Sequence, residues 1–227
     1  WGAASVAGDA RWTYGEPPDG SANYGWIQHF IHHLTPDGRA GFVMANGSLT
    51  SNTNGEGEIR KRIIAADLID CIVALPGQLF FTTGIPVCLW FIDRNKASTE
   101  ERDRRGDALF IDARQMGQKI SRTQIELSTD EIDRIARAYH AWRSKADAGL
   151  YADEPGFCKA ATLDEIRGAG FALTPGRYVG AAGVEEEEGA FDERMTKLVA
   201  QLREDLADSE RLAADVKRAL GAVGYEL

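Results

Sequence analysis

Two apolar segments joined by a short connector constrain the fold of this 227-residue chain more than any other feature. Segments 68–75 and 87–93 read LIDCIVAL and VCLWFID, and such continuous apolar runs are typical of buried strands. The connector 76–86, PGQLFFTTGIP, has only 11 residues. Parallel neighbours need a connection of about a dozen residues or more, usually with a helix. The two strands are therefore predicted to run antiparallel.

The preceding segments predict a different arrangement. Strand 39–46, helix 58–66 and strand 68–75 have the order of a βαβ unit, whose two strands should be parallel. Residues 109–112 predict a short last strand at a sheet edge. The expected fold class is therefore α/β, with a parallel sheet that receives one late antiparallel strand.

Helix starts are indicated by capping residues and by apolar residues at helical spacing. Ser21 is the expected N-cap of a helix over 22–34. The remaining predicted starts share the spacing of a capping box: Thr53 with Glu56, Ser128 with Glu131 for a helix ending near Arg143, and Thr162 with Glu165.

The second half of the chain predicts helices and a linker. Pro175-Gly176 and the Gly/Ala stretch 180–183 are typical of a linker, and residues 186–222 predict one long amphipathic helix with a seam longer than 25 residues. Three regions follow: an α/β part at 1–117, a helical connector and linker at 118–184, and a C-terminal helix at 185–227.

Composition narrows the class of protein. The chain is 44% hydrophobic and 27% charged, as expected for a globular protein, and it has no apolar run of membrane-spanning length. Its three cysteines are scattered, which favours a reduced, cytoplasmic protein without disulfides or a zinc site. The net charge of −9 argues against DNA contact over the whole surface, but not against a local basic patch.

Residues 97–107 predict a charged surface loop. The first residue is Trp, not Met, which suggests a piece of a longer polypeptide.

The polar segment 46–57 is a candidate contact surface. Its Gly55-Glu56-Gly57 is a poor phosphate loop, because Arg60 stands where a further glycine is needed and Glu56 and Glu58 add negative charge. Ligands of open α/β sheets bind at the carboxyl ends of the strands. We therefore favour contact with DNA or a partner for this segment, with a plain solvated loop as the alternative.

Three histidines, His29, His32 and His33, share one helix face, but the sequence offers no further ligands for a metal. Surface or half-buried histidines are the favoured interpretation, and no metal site is predicted.

Phe80 and Phe81 stand in the 76–86 connector at the mouth of the predicted sheet. One interpretation is that they pack into the core beneath the hairpin, and we expect this of one of the two. The other is an aromatic wall for a flat ligand, because extruded bases are stacked between aromatic or apolar side chains.

Four strings together resemble the modification subunit of a type I restriction–modification system, a DNA adenine-N6 methyltransferase. They are RWTYGEPPDGSANYGWIQHFIHHL (11–34), GRAGFVMANGSLTSNTNGEGEIRKRII (38–64), DLIDCIVALPGQLFFTTGIPVCLWFIDRNK (67–96) and LFIDARQMG (109–117). The resemblance implies the C-terminal half of a class I, Rossmann-like methyltransferase sheet, followed by a helical connector and a long C-terminal helix.

The resemblance also assigns roles. Phe80 matches the aromatic residue that closes over a flipped adenine, with Phe81 as the reserve candidate, and the 46–57 segment is expected to face DNA. The DNA-facing candidates are Asn46, Ser48, Asn52 and Asn54. The family's S-adenosylmethionine loop and its Asn-Pro-Pro-Phe catalytic motif are absent from these residues and are expected upstream, so the chain alone is predicted to be inactive.

The implied partners are DNA, a specificity subunit bound through the C-terminal helices, a second modification subunit and restriction subunits. An assembly module that holds the specificity subunit without catalysis is the alternative function. A nucleotide-dependent oxidoreductase is a distant third, which the poor glycine pattern disfavours.

Overall fold

The protein is described here from a computed structural model, which covers residues 3–97, 101–144, 151–181 and 188–222. The chain divides into two units, residues 1–182 and 183–227. Within the described residues of the first unit, five strands form one sheet and two very short strands form a separate hairpin.

The bounds of the strands follow the chain order. They are β1 Arg39–Ala45, β2 Ile69–Ala74, β3 Val87–Asp93, β4 Asp107–Asp112, β5 Gln118–Lys119, β6 Ile125–Glu126 and β7 Cys158–Thr162. The helices are α1 Asn23–His32, α2 Glu56–Ala65, α3 Thr129–Arg143, α4 Leu163–Gly168 and α5 Glu188–Ala222.

The order of the large sheet is β1-β3-β2-β4-β7. The antiparallel pairing of β2 with β3 is confirmed, with Ile72 opposite Trp90. β1 and β2 point the same way, as the βαβ pattern predicted, but β3 lies between them and pairs antiparallel with both. The parallel neighbour of β2 is β4. The sheet is thus mostly antiparallel with one parallel pair.

β4 is not an edge strand, contrary to the prediction, because β7 pairs antiparallel with it. The five residues of β7, CKAAT, include two alanines and a lysine, which are depleted in strands. β7 is therefore specified by its pairing with β4 and by burial of Cys158 and Ala161, not by local propensity.

Both faces of the sheet are covered, which explains the uninterrupted apolar pattern of β2. Side chains alternate between faces along a strand, so Ile72 joins one core cluster while Cys71 and Val73 join the other. The first cluster includes side chains of α1 and α2, such as Ile27 and Ile63. The second receives Trp142 from α3.

The predicted charged surface loop contains a buried cation, so that prediction is wrong for Arg104. Its side chain is fully buried and bonds to Asp70 in β2 at 2.9 Å and to Asp93 in β3 at 2.8 Å. The Tyr139 hydroxyl of α3 donates to the same Asp70 at 2.7 Å. This cluster links β2, β3 and α3 at the amino end of β2.

Two of the predicted capping boxes are confirmed: Ser128 with Glu131 for α3, and Thr162 with Glu165 for α4. The box predicted for Thr53 and Glu56 is wrong, because α2 begins at Glu56 after Gly55, and the Glu56 side chain instead accepts a hydrogen bond from the Ser51 hydroxyl.

The start of α1 also differs from prediction. Ala22 is its N-cap, and the Ser21 hydroxyl makes only a long contact, 3.5 Å, with the backbone nitrogen of Asn23.

The end of the first unit and the second unit complete the fold. Pro175 is buried in a 3₁₀ turn, Pro175–Arg177. Of the predicted linker stretch 180–183, residues 182 and 183 lie outside the described ones. The long helix α5 is confirmed at 35 residues. Across the described parts of the chain, no helix has both the length and the apolar character needed to cross a membrane.

Candidate functional site at the carboxyl edge

Two loops leave the sheet from the same edge. Ala45, the last residue of β1, pairs with Val87, and Ala74, the last residue of β2, pairs with Cys88. The segment 46–57 and the connector 76–86 therefore both begin at the carboxyl ends of strands that point the same way. This is the edge at which open α/β sheets bind ligands.

The connector 76–86, called the aromatic hairpin below, is closed by backbone bonds. The amide of Gln78 donates to the carbonyl oxygen of Gly84 at 3.2 Å, and Phe80 bridges to Thr83. The two arms approach so closely that a Cβ on Gly77 would lie 2.7 Å from the Gly84 carbonyl oxygen. Gly77 therefore lets the hairpin close, since any larger residue would collide with backbone.

Neither phenylalanine of the aromatic hairpin is buried. Phe80 is 41% exposed and Phe81 is 91% exposed, and Ile85 beside them is also exposed. The expectation that one phenylalanine packs into the core is therefore wrong. Three exposed large apolar side chains on one short hairpin are what an interaction surface requires.

Ser48 is a structural residue, so its predicted DNA contact is wrong. It is fully buried. Its hydroxyl donates to the carbonyl oxygen of Ala45 at 2.8 Å and accepts from the indole nitrogen of Trp90 at 3.1 Å. The Tyr24 hydroxyl donates to its carbonyl oxygen at 2.6 Å. These bonds tie the end of β1 to β3 and α1, and no atom of Ser48 is available to a ligand.

The rest of the 46–57 segment is held from below by Arg60. This buried guanidinium bonds to Asn52 Oδ1 at 3.0 Å, to the carbonyl oxygen of Phe171 at 2.8 Å and to that of Ser51. Asn52 and Asn54 are exposed, and Asn54 adopts a left-handed conformation with φ of 49°. The segment thus presents amide side chains to solvent on a fixed backbone.

Asn46 differs from the other two asparagines. It is half-buried, and its Oδ1 is a buried acceptor with no hydrogen-bond partner among the described residues. Unsatisfied buried acceptors are uncommon and costly in proteins. Asn46 has such an acceptor directly at the end of β1.

The histidines are surface or half-buried, as expected. His29 is half-buried beside Arg11, whose Nη1 lies 3.0 Å from its Nδ1, while His32 and His33 are exposed. Burial lowers the pKa of His29, and the charges of His33 and Arg11 lower it further. Within the described residues, no three histidine, cysteine or acidic side chains lie together as metal ligands do.

A cavity of about 720 Å³ lies elsewhere, between α3 and residues 151–158. Its wall contains Arg134, which pairs with Glu154 and stacks 4.0 Å from the ring of Phe157. None of its lining residues belongs to the aromatic hairpin or to 46–57, so the cavity is separate from the carboxyl-edge site.

The sequence interpretation missed a second hairpin at this edge, formed by β5 and β6. The amide of Ile125 donates to the carbonyl oxygen of Gln78 at 2.9 Å, which joins this hairpin to the aromatic one. Strands of two residues are too short to show an alternating pattern. The signal that remained was the local concentration of Lys119 and Arg122 in an acidic chain.

Comparisons with known proteins place this geometry in a family. The N-6 DNA methylase family model matches residues 1–187. The chain is 50% identical over 226 residues to the HindI type I restriction enzyme methylase subunit of Haemophilus influenzae, covering 100% of the chain and 49% of that protein. It is 44% identical over 209 residues to the MjaIX type I methylase subunit of Methanocaldococcus jannaschii, covering 92% and 36%.

A solved structure shows the same fold. The crystal structure of a type I restriction-modification methyltransferase subunit from Streptococcus thermophilus matches with a TM-score of 0.67 and 29% identity, covering 80% of this chain and 35% of that one. The chain spans about half, or less, of the length of the relatives it matches. Because the family model covers most of its residues, the chain belongs to the N-6 DNA methylase family.

Proposed function

We propose that this chain is part of a modification subunit that methylates adenine N6 in DNA within a type I restriction–modification complex. The observation that carries the proposal is the exposed aromatic hairpin at the carboxyl edge of the sheet, in a chain of the N-6 DNA methylase family. The methylase subunits that the chain resembles support the type I assignment.

The aromatic hairpin is suited to hold a base that has left the duplex. Enzymes that modify a base extrude it and stack it against aromatic or apolar side chains. Phe81 offers the larger exposed surface, and Phe80 lies beside it on the same closed hairpin. We assign the stacking role to these two residues together, with Ile85 as an apolar neighbour.

Asn46, Asn52 and Asn54 are the proposed DNA-facing residues of the 46–57 segment. The two exposed amides suit phosphate or sugar contacts, which fix the register of a protein on DNA.

The methyl donor implied by the family is S-adenosylmethionine, which supplies the transferred methyl group when bound. The cofactor loop and the Asn-Pro-Pro-Phe string that the family resemblance implies have no match in these 227 residues, and Arg60 beneath the turn at Gly55 is committed to backbone oxygens and Asn52. We therefore place the cofactor site and the Asn-Pro-Pro-Phe motif in residues outside these 227, and we assign no catalytic residue to this chain.

The proposed partner surface lies on α5. Among the described side chains of this helix, seven large apolar ones are exposed: Met195, Leu198, Val199, Leu202, Leu206, Leu212 and Val216. A long apolar stripe on one helix is typical of packing against other helices. We propose that it binds the specificity subunit, and that a second modification subunit and restriction subunits complete the assembly.

The three buried, unpaired cysteines fit the reducing cytoplasm.

The proposed function is tested with the full-length polypeptide that contains this sequence, combined with its specificity subunit. Duplex DNA is incubated with methyl-labelled S-adenosylmethionine, and the modified nucleoside is identified by mass spectrometry. N6-methyladenine is the expected product. Transfer to cytosine, or no transfer by an assembled complex, contradicts the proposal.

The alternative, an assembly module without catalysis, rests on the exposed seam of α5. Deleting residues 186–227 distinguishes the two contributions. We expect loss of the specificity subunit from the complex. If the complex still forms, α5 is not the docking element; if the intact complex binds DNA but never methylates it, the assembly function is favoured.

A further inference from the structure

The hairpin at residues 117–127, called the basic hairpin below, is a built element of the carboxyl edge. β5 and β6 pair Lys119 with Ile125, and the amide of Ile120 donates to the carbonyl oxygen of Gln124 at 3.1 Å. The bond from Ile125 to Gln78 fixes one arm against the aromatic hairpin. The two hairpins therefore lie side by side.

The base of the basic hairpin is anchored to α3. Glu131 Oε1 accepts from the amide of Gly117 at 2.7 Å, while Oε2 accepts from the amide of Ser128 at 2.8 Å. These backbone bonds lower the pKa of Glu131. Gly117 has φ of 96°, and a Cβ there would lie 2.5 Å from Ile125 Cγ2. Glu131 and Gly117 thus fix the base of the hairpin against the start of α3.

The exposed end of the basic hairpin carries cations and one apolar side chain. Lys119 and Arg122 are exposed, and neither forms an ion pair with any residue in the described part of the chain. Ile120 between them is 54% exposed. Glu126 is the one acidic residue in this segment, so the hairpin has a formal charge of +1 in a chain of −9. Unpaired cations on a fixed element suit an anionic ligand.

We propose that the basic hairpin binds the DNA backbone beside the base that stacks on the aromatic hairpin, with Lys119 and Arg122 contacting phosphates. This inference rests on the proposed function. Phosphate contacts at this place hold the backbone on which the base rotates out of the duplex, and they offset part of the cost of extrusion.

The test uses the full-length complex with Lys119→Gln and Arg122→Gln introduced together. DNA affinity is measured by fluorescence anisotropy at several salt concentrations. Losing two phosphate contacts should reduce the slope of log K against log salt by about 1.8, at about 0.9 per contact. The loss of affinity should be equal for target and non-target duplexes, because phosphates carry no sequence information.

The matched control is Arg105→Gln. Arg105 is an exposed arginine in the turn before β4, at the opposite edge of the sheet, and it should leave the slope unchanged. A wild-type slope in the Lys119/Arg122 variant overturns the proposal. So does loss of the specificity subunit by that variant, because the cations would then serve an acidic protein surface. If the wild-type complex neither binds nor methylates DNA, the proposed function itself fails, whereas a methylating wild type with an unaltered variant slope contradicts only the hairpin's role.

Discussion

Arg104 is the group whose removal should damage the fold most clearly. Its buried guanidinium faces Asp70 at 2.9 Å and Asp93 at 2.8 Å, and Arg104→Met leaves both carboxylates without it. Breaking a buried pair by removing one partner costs about 3–5 kcal/mol, because the remaining charge is uncompensated. Asp70 keeps the Tyr139 hydroxyl, and Asp93 keeps Arg39 at 2.7 Å. These remaining partners place the expected cost near the lower limit, about 3 kcal/mol.

Thermal and urea denaturation measure this loss. For a unit of about 150–250 residues, about 3 kcal/mol corresponds to a fall in Tm of roughly 6–12 °C. Arg105→Met is the matched control, since Arg105 is 67% exposed and pairs only across two residues with exposed Asp103 at 2.6 Å. Exposed pairs contribute about 0–1 kcal/mol. A loss below about 1 kcal/mol for Arg104→Met, or an equal loss for Arg105→Met, refutes the importance of the buried cluster.

Three further predictions follow from the site and its supports. Burial raises the pKa of all three thiols, that of Cys88 to about 11, so a thiol reagent at pH 8 should react with Cys71, Cys88 and Cys158 only after denaturant is added; rapid native labelling contradicts their burial. Gly117→Ala should distort the basic hairpin and lower DNA affinity in the full-length complex while Tm falls little, since the clash is local at 2.5 Å from Ile125; an unchanged affinity argues against a fixed hairpin. The folded-state pKa of Glu131 is lowered, so its contribution to the free energy of unfolding is present above the unfolded pKa of about 4.5 and is lost as pH falls through the folded pKa. Urea denaturation should show a difference in stability between wild type and Glu131→Gln that narrows from pH 7 to pH 3. A constant difference contradicts the assignment.

Local signals predicted the elements well where their causes are local. The capping boxes of α3 and α4 depend on residues three positions apart, such as Ser128 and Glu131, and both formed. The short connector 76–86 forced an antiparallel return, which the pairing of β2 with β3 confirmed. The box at Thr53 failed because the left-handed residues Asn54 and Gly55 move the start of α2 to Glu56.

Long-range contacts decided what the sequence could not show. β3 lies between β1 and β2 because it pairs with both, and β1 is distant from β3 in the sequence. β7 forms a strand because it pairs with β4. The sequence pattern places Ser48 in a polar loop, yet its hydrogen-bond partners Tyr24 and Trp90 come from distant segments. Arg104 reads as a surface charge until Asp70 and Asp93 approach it.

At the site, the sequence located the aromatic hairpin but not the orientation of its side chains. The sequence around Phe80 and Phe81 is compatible with side chains that point either into a core or into solvent. Their direction depends on how the hairpin closes at Gly77 and Gly84. The sequence did not predict the basic hairpin, because its position depends on a long-range backbone hydrogen bond from Ile125 to Gln78.

The most direct test of the central claim is methyl transfer by the full-length complex when the aromatic hairpin is changed. Base–aromatic stacking is worth about 1–3 kcal/mol per base, so Phe80→Ala with Phe81→Ala should lower kcat/KM for adenine methylation by roughly 5- to 150-fold. Tm should fall little, because Phe81 is 91% exposed and Phe80 is 41% exposed, and Phe81→Trp should retain activity. If the double alanine variant methylates adenine with wild-type kcat/KM, the aromatic hairpin does not hold the base.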